Sequence, residues 1–292
     1  MNDQSRVAIT GRERSLRPMP FLDNIHSLRA LAIVVIVGGH VCGELRMLDA
    51  SPSLSILSTL IDDGSVIFVF VAGFLFEHLR RSYTYSSYLR KKIANVIVPY
   101  LLLSVPAVYI AIAWHGANPP YPELQGHSSL YQTAWYYLKG GAHLNGALWF
   151  IPMIGVYYLA APAFMAVIHR PRLYLLILPL FCMSAVLKRP LFPNLDTMHL
   201  VIYMLPAYLM GMWCSQFGDS ALWVFERRPW LTWGLCGAVW LLPIVVSTHS
   251  GNYTESGYFT FERGWIDWLF VQKALLAVLL TAAFKHVPNA LH

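Results

Sequence analysis

Eight long apolar stretches separated by short polar segments leave this chain few ways to fold. They cover residues 28–44, 54–77, 93–114, 147–168, 173–187, 199–217, 231–248 and 265–284. Each is near the roughly 20 residues a helix needs to cross a hydrocarbon core of about 30 Å. None shows the strict alternation of a membrane β-strand, and in lipid only helices and closed barrels satisfy every backbone group. Hydrophobic residues make up 57% of the chain and charged residues 12%, about half the charge of an ordinary soluble domain. A disordered chain is excluded, and a soluble enzyme is strongly disfavoured. Pro106, Pro152, Pro162, Pro179, Pro206 and Pro243 fall inside these stretches, which a membrane bundle tolerates better than a soluble helix does. The reading is an all-α polytopic bundle of about eight spans. A polar N-terminal segment, 1–24, precedes a single transmembrane domain over 25–292.

Lys and Arg set the orientation. With the N-terminus cytoplasmic, the inner segments hold fifteen of the 21 basic residues, among them Arg29, Arg80, Arg81, Arg90, Lys91, Lys92, Arg170, Arg172, Arg227, Arg228 and Lys285. The outer segments hold Arg46, Lys139, Lys188, Arg189 and Arg263, and Lys273 lies inside the last span. The net charge of +6 is therefore topological, and nucleic acid is not an expected partner. The N-terminal segment lacks the apolar core of a signal peptide. Cys42, Cys182, Cys214 and Cys236 match no zinc spacing and read as small buried side chains. The longest non-membrane segment, 115–146, faces outward in this topology. Its His115, His127 and His143 are not at metal-ligand spacing.

Four stretches carry candidate chemistry. In NIHSLRALAIVVIVGGHVC, Arg29 and His40 are eleven positions apart. Eleven steps of about 100° make three turns plus roughly 20°, so both share one face, about 16 Å apart along the axis. An ionisable residue that deep is a functional candidate; it equally fits a neutral histidine bonded to a neighbouring helix. In FVFVAGFLFEHLRR, Ala72 and Gly73 allow close helix packing. In SYLRKKIANVIVPYLLL, the cluster Arg90, Lys91 and Lys92 at the entrance of the third span is a topology signal or an anchor for a phosphate-bearing ligand. In ALWFIPMIGVYY, Trp149 stands at the outer boundary as an interfacial anchor.

In order and spacing, these blocks resemble the acyltransferase-3 family of integral membrane acyltransferases, mostly bacterial enzymes that acylate surface and periplasmic carbohydrates. The family's opening "LRG-x-A" pattern and following His fall on LDNIHSLRALAIVVIVGGH, which places its basic residue and His on Arg29 and His40. Its "SGFL" block falls on FVFVAGFLF, with Ala72 where Ser is usual. Its "R-x-x-R … P-Y" entrance falls on KKIANVIVPY, with Lys92 and Asn95 in the arginine places. Its "LWF" block falls on Leu148, Trp149 and Phe150. Asn95 removes one cation. Family members have about ten spans, so eight reads as a chain that lacks its C-terminal helices.

The resemblance implies acyl transfer, most readily of acetyl, from cytoplasmic acyl-CoA to a hydroxyl of a carbohydrate or envelope glycan, at a bacterial inner membrane. No permanently bound cofactor is implied, because acyl-CoA is a substrate. Arg29, Arg90, Lys91 and Lys92 then hold the CoA phosphates. His40 is the candidate general base, or the carrier of a transient acyl group. Asp62 and Asp63, in the outer half of the second span, are candidates to orient the imidazole. Asp-Asp-Gly-Ser just before the apolar run reads more simply as a helix cap and turn. Lys273 reads as a paired or snorkelling lysine. Trp135, Tyr136, Tyr137 and Trp149 suit either a sugar ring or an aromatic belt. The competing readings are a transporter or flippase of a polar or lipid-linked molecule, and an inactive shortened homologue.

Overall fold

The computed structural model describes residues 23–44, 60–115, 121–139, 148–187, 189, 196–250 and 266–287. The N-terminal segment 1–22, the start of the second apolar stretch, Arg46, His143, Lys188, Arg263 and the last five residues lie outside the described residues. The long helices are α1 (Asp23–Glu44), α2 (Ser65–His78), α3 (Tyr85–Lys92), α4 (Val98–His115), α5 (Ser129–Lys139), α6 (Phe150–Leu159) and α7 (Ala161–His169). They continue with α8 (Ile177–Leu187), α9 (Thr197–Ala221), the short α10 (Trp223–Arg227), α11 (Pro229–Ser250) and α12 (Trp268–Ala283). There is no strand among the described residues. A π turn, Ile93–Ile97, joins α3 to α4 into one 30-residue span.

Among the described residues, each of the eight apolar stretches falls mainly on helix. Four are long enough and apolar enough to cross a membrane, or five if α6 and α7, bent by 59°, are one span. Ser65–His78, Pro171–Leu187 and Pro229–Ile244 are shorter apolar helices. Two expectations change in detail. The second stretch is not one helix: the chain turns at Asp62–Gly64, with Asp63 at φ 59°. The outer segment is not plain loop either, since it contains α5.

Helix burial sorts the bundle into a centre and a rim. α2 buries residues around its whole circumference, from Val66 and Ile67 to Phe74 and Phe76. α9 does the same with Leu200, Tyr203, Met204, Ala207 and Tyr208. Helices apolar and buried all round form a core. α4 instead exposes Leu102, Leu103, Tyr109 and Trp114, the face of a helix that meets lipid tails. α1 is intermediate. Ile25, Leu28, Ala32, Val35 and Cys42 make one buried stripe at spacings of three, four and seven, and Ile33, Val34, Val37 and Val41 are exposed.

The centre is held by two glycines. A Cβ on Gly73 would collide with the carbonyl oxygen of Tyr208, and one on Gly211 with that of Phe70. The backbones of α2 and α9 therefore touch, the close approach that small residues permit in membranes. The sequence singled out Gly73, and the structure supplies Gly211 as its partner.

Polar contacts define two ends. Tyr203, early in α9, meets Asp267 at the start of α12 at 2.8 Å. At the far end Lys285, just after α12, meets Asp219 and Glu226 at 2.7 Å each. α9 and α12 are thus parallel. Asn24 joins Thr281 at 3.1 Å and Gln216 joins Ile168 at 3.4 Å at the same end as Lys285. Arg29, Arg170, Arg172, Arg227 and Arg228 lie toward this basic end. Lys139 with Asp196, at 2.7 Å, marks the opposite end.

Replacing Gly211 by Ala is expected to cost about 1–3 kcal/mol by overpacking, read as a lower thermal midpoint in detergent micelles. Gly234→Ala, where an added Cβ meets nothing within 4 Å, is expected to leave the midpoint unchanged.

Candidate functional site

The turn at Asp62–Gly64 places a polar cluster at the end opposite the basic one. Asp63 is 7% exposed. Its Oδ1 accepts from Arg189 and, at 3.2 Å, from the Ser65 hydroxyl. Its Oδ2 lies 3.2 Å from the Tyr203 hydroxyl, which lies 2.8 Å from Oδ2 of Asp267. Asp267 also caps α12 by accepting from the Phe270 N–H at 3.0 Å. Arg189 stacks on Trp149, 4.7 Å from the ring centre. The cluster joins α2, α6, α9 and α12 through residues far apart in sequence.

The break in the second stretch exposes backbone that lipid cannot satisfy, and buried partners repair it. The Leu60 carbonyl accepts from Lys273 Nζ at 2.8 Å and from Trp240 Nε1 at 3.1 Å. Lys273 also donates to Gln272, whose amide donates to the Trp240 carbonyl at 2.6 Å. Lys273 is therefore the paired lysine anticipated from the sequence. Asp63 does not serve as a side-chain cap: Gly64 is the N-cap of α2 and makes no side-chain bond there. A single Tyr203 proton can serve only one of its two carboxylates, so the second contact is attractive only if one carboxyl carries a proton. Paired carboxylates, an arginine and a shared hydroxyl proton can hold and pass protons, and they lock the helix ends together.

The other expected site residues separate into three positions. Arg29 and His40 lie on the same flank of α1, about 100° from its buried stripe, and both are exposed. The described helices do not enclose the imidazole as a deep span position suggested, because the stripe through Leu28, Ala32 and Val35 takes the core-facing side. His40 is nonetheless level with the broken turn. A Cβ on Gly39 would stand 3.7 Å from the Ile61 carbonyl oxygen, and one on Gly64 2.7 Å from Val35. Asp62 is exposed at that level, while Asp63 turns into the bundle. Of the basic cluster, Arg90 and Lys91 are exposed. Lys92 is half-buried between the rings of Tyr88 and Tyr158, 5.5 and 5.2 Å from their centres.

The aromatic candidates for a sugar ring pack against other side chains, Tyr137 among them against Tyr100. Trp135 packs on Tyr121 at 4.6 Å, Tyr136 is buried against both, and Trp149 is covered by Arg189. Sequence reasoning missed Arg189, Tyr203 and Asp267. Their only signal was an ionisable or hydroxyl side chain at the edge of an apolar stretch.

Arg189→Gln leaves Asp63 buried without its cation and is expected to destabilise by about 3–5 kcal/mol. Combining it with Asp63→Asn is expected to recover part of that loss, since the two residues act as a unit. Thermal midpoints of the two single variants and the double variant in micelles check this coupling.

A family model described as an acyltransferase domain matches residues 22–290. Neither the comparison with curated proteins nor that with solved structures returned a match. The match runs from the start of α1 past the end of α12 and takes in the Arg29–His40 flank, the Gly73–Gly211 crossing and the polar cluster alike. The chain is a member of the acyltransferase-3 family, a membrane acyltransferase.

Proposed function

We propose that this protein transfers an acyl group, most readily acetyl, from acyl-CoA on the basic side of the membrane to a hydroxyl of a carbohydrate or cell-envelope glycan. The observation that carries the reading is the common flank of Arg29 and His40 on α1 in a chain of this family. A cation near the basic end and an imidazole three turns further in suit a ligand that is anionic at one end and reactive at the other. Arg29, Arg90, Lys91 and Lys92 bind the CoA phosphates as charge-assisted donors.

In this reading His40 removes the proton from the attacking hydroxyl as its oxygen bonds to the thioester carbon. The tetrahedral intermediate then expels the CoA thiolate, which takes up a proton to leave as the thiol. Asp62, exposed at the level of His40, is the nearer of the two aspartates to solvent; its Oδ1 accepts from the Asp63 N–H at 2.9 Å, and the carboxylate's remaining acceptor capacity is left to stabilise the imidazolium. Asp63 acts indirectly, since its carboxylate is engaged by Arg189 and it holds the turn in place. A broken helix with buried charges also suits a transporter. Here, however, the carbonyl and carboxylate of the break are taken by Lys273, Trp240 and Arg189, which favours the enzyme.

Membranes containing the protein are expected to move label from acetyl-CoA to a carbohydrate acceptor and release free thiol. His40→Ala is expected to lower that transfer by about 100-fold or more at equal inserted protein. Retained transfer by the verified variant ends the proposed role. Arg29→Ala is expected to raise the apparent KM for the donor by about tenfold with a smaller change in kcat, as loss of a charged hydrogen bond predicts.

A further inference from the structure

The two carboxylates of the polar cluster are held in different ways. Asp63 is paired with Arg189 and also accepts from the Ser65 hydroxyl at 3.2 Å, so its negative charge is met. Asp267 is 5% exposed. Its Oδ1 accepts from the Phe270 N–H at 3.0 Å and its Oδ2 lies 2.8 Å from the Tyr203 hydroxyl. The ion pairs among the described residues do not include it. A buried carboxylate without a cation is costly, whereas the un-ionised acid needs only hydrogen-bond partners.

The charged and titratable neighbours are few. Arg189, after α8, is committed to Asp63. Lys273, on α12, donates to the Leu60 carbonyl and to Gln272, both neutral acceptors. Asp62 is exposed and accepts from the Asp63 N–H at 2.9 Å. His199 stands one turn before Tyr203 on α9 and is 8% exposed. From α8 the contact is a backbone one, the Asp267 N–H donating to the Ala185 carbonyl at 2.6 Å. Tyr203 has one hydroxyl proton and two carboxylate oxygens, 2.8 and 3.2 Å away. With both carboxylates ionised, one contact sets lone pair against lone pair, and two like charges share one hydroxyl. With Asp267 un-ionised, its O–H donates to the Tyr203 oxygen and the Tyr203 O–H donates to Asp63, so both contacts are attractive. The shorter contact then belongs to the carboxylic acid, the more acidic donor.

We propose that Asp267 holds a proton at neutral pH, and that the directional chain from Asp267 through Tyr203 to Asp63 is a latch that alkali releases. It fastens the start of α12 and the first turns of α9 to the turn at Asp62–Gly64. Loss of the proton leaves two anions about one hydroxyl and unpins the turn that sets Asp62 at the level of His40. Asp267 and Tyr203 are thus positioning residues. The latch is readable without any acyl transfer, so it stands or falls apart from the proposed reaction.

The test uses the purified full chain in an ester-free detergent. Infrared spectra at neutral pH are expected to show the carbonyl stretch of an un-ionised carboxylic acid in wild type and to lose it in Asp267→Asn. Tyr203→Phe takes away the acceptor of that acid and is expected to move the band to higher wavenumber, which keeps the assignment testable should the Asn variant not fold. Thermal midpoints give the second readout. An unfolded aspartate is ionised above about pH 4, so the folded chain binds one proton more than the unfolded chain. Wild-type stability then falls as pH rises, until the folded state releases the proton too. Asn keeps the acceptor for Phe270 and an N–H for Tyr203 and has no proton to lose. His199 and Lys273 titrate in both proteins and cancel in the difference. The folding equilibrium of wild type relative to Asp267→Asn is expected to fall by about tenfold per pH unit while the proton stays bound, read as a midpoint gap that widens in favour of Asn from about pH 5 to about pH 8. Absence of the acid band from wild type, a band that Tyr203→Phe leaves unmoved, or a gap that narrows with rising pH overturns the proposal.

Discussion

The backbone contact between α2 and α9 at Gly73 and Gly211 sets the geometry of the rest. In lipid no hydrophobic force gathers helices, so close van der Waals approach must do so. At this crossing nothing larger than hydrogen fits against the Tyr208 and Phe70 carbonyls. The crossing sets the relative register of the two central helices. Asp63 lies ten residues before Gly73, and Tyr203 eight before Gly211. Both reach the same end at the same depth, where their side chains meet at 3.2 Å. A side chain added at either glycine would separate residues more than two turns away.

The polar cluster follows from the cost of charge in a bundle of this kind. A broken helix leaves carbonyls without partners, and a buried carboxylate needs a cation. Lys273 and Trp240 meet the first need at Leu60, and Arg189 meets the second at Asp63. The remaining carboxylate, Asp267, is used twice, as cap for α12 and as partner for Tyr203. These bonds tie the starts of α2, α9 and α12 to the chain after α8. They keep one end of the bundle closed, while the flank of α1 and a cavity beside α6 stay open. A rigid end with open flanks suits chemistry in which a donor and an acceptor approach from different sides.

The legible parts of the site are those that depend on distance along one helix. Arg29 and His40 share a flank because eleven residues return a helix almost to the same angle, and the structure keeps that register. The depth of Asp62 and Asp63 near His40 was legible in the same way, from position within a span. Which aspartate turns inward was not. That depended on Arg189, 126 residues away, and Tyr203, 140 away, and no local pattern carries such separations. The exposure of His40 was equally illegible, since a period shows which residues lie together but not which neighbour covers them.

The sequence by itself determined that the chain is helical and membrane-spanning, which stretches are apolar, and which end is basic. Those properties rest on hydrophobicity, helical period and charge counted residue by residue, and lipid allows few other solutions. The tertiary structure alone decided that the second span breaks at Asp63, that Gly73 meets Gly211, and that Asp63, Arg189, Tyr203 and Asp267 form one cluster. Those outcomes depend on how separate helices dock, and docking is governed by shape and by the pairing of buried charges across long stretches of chain.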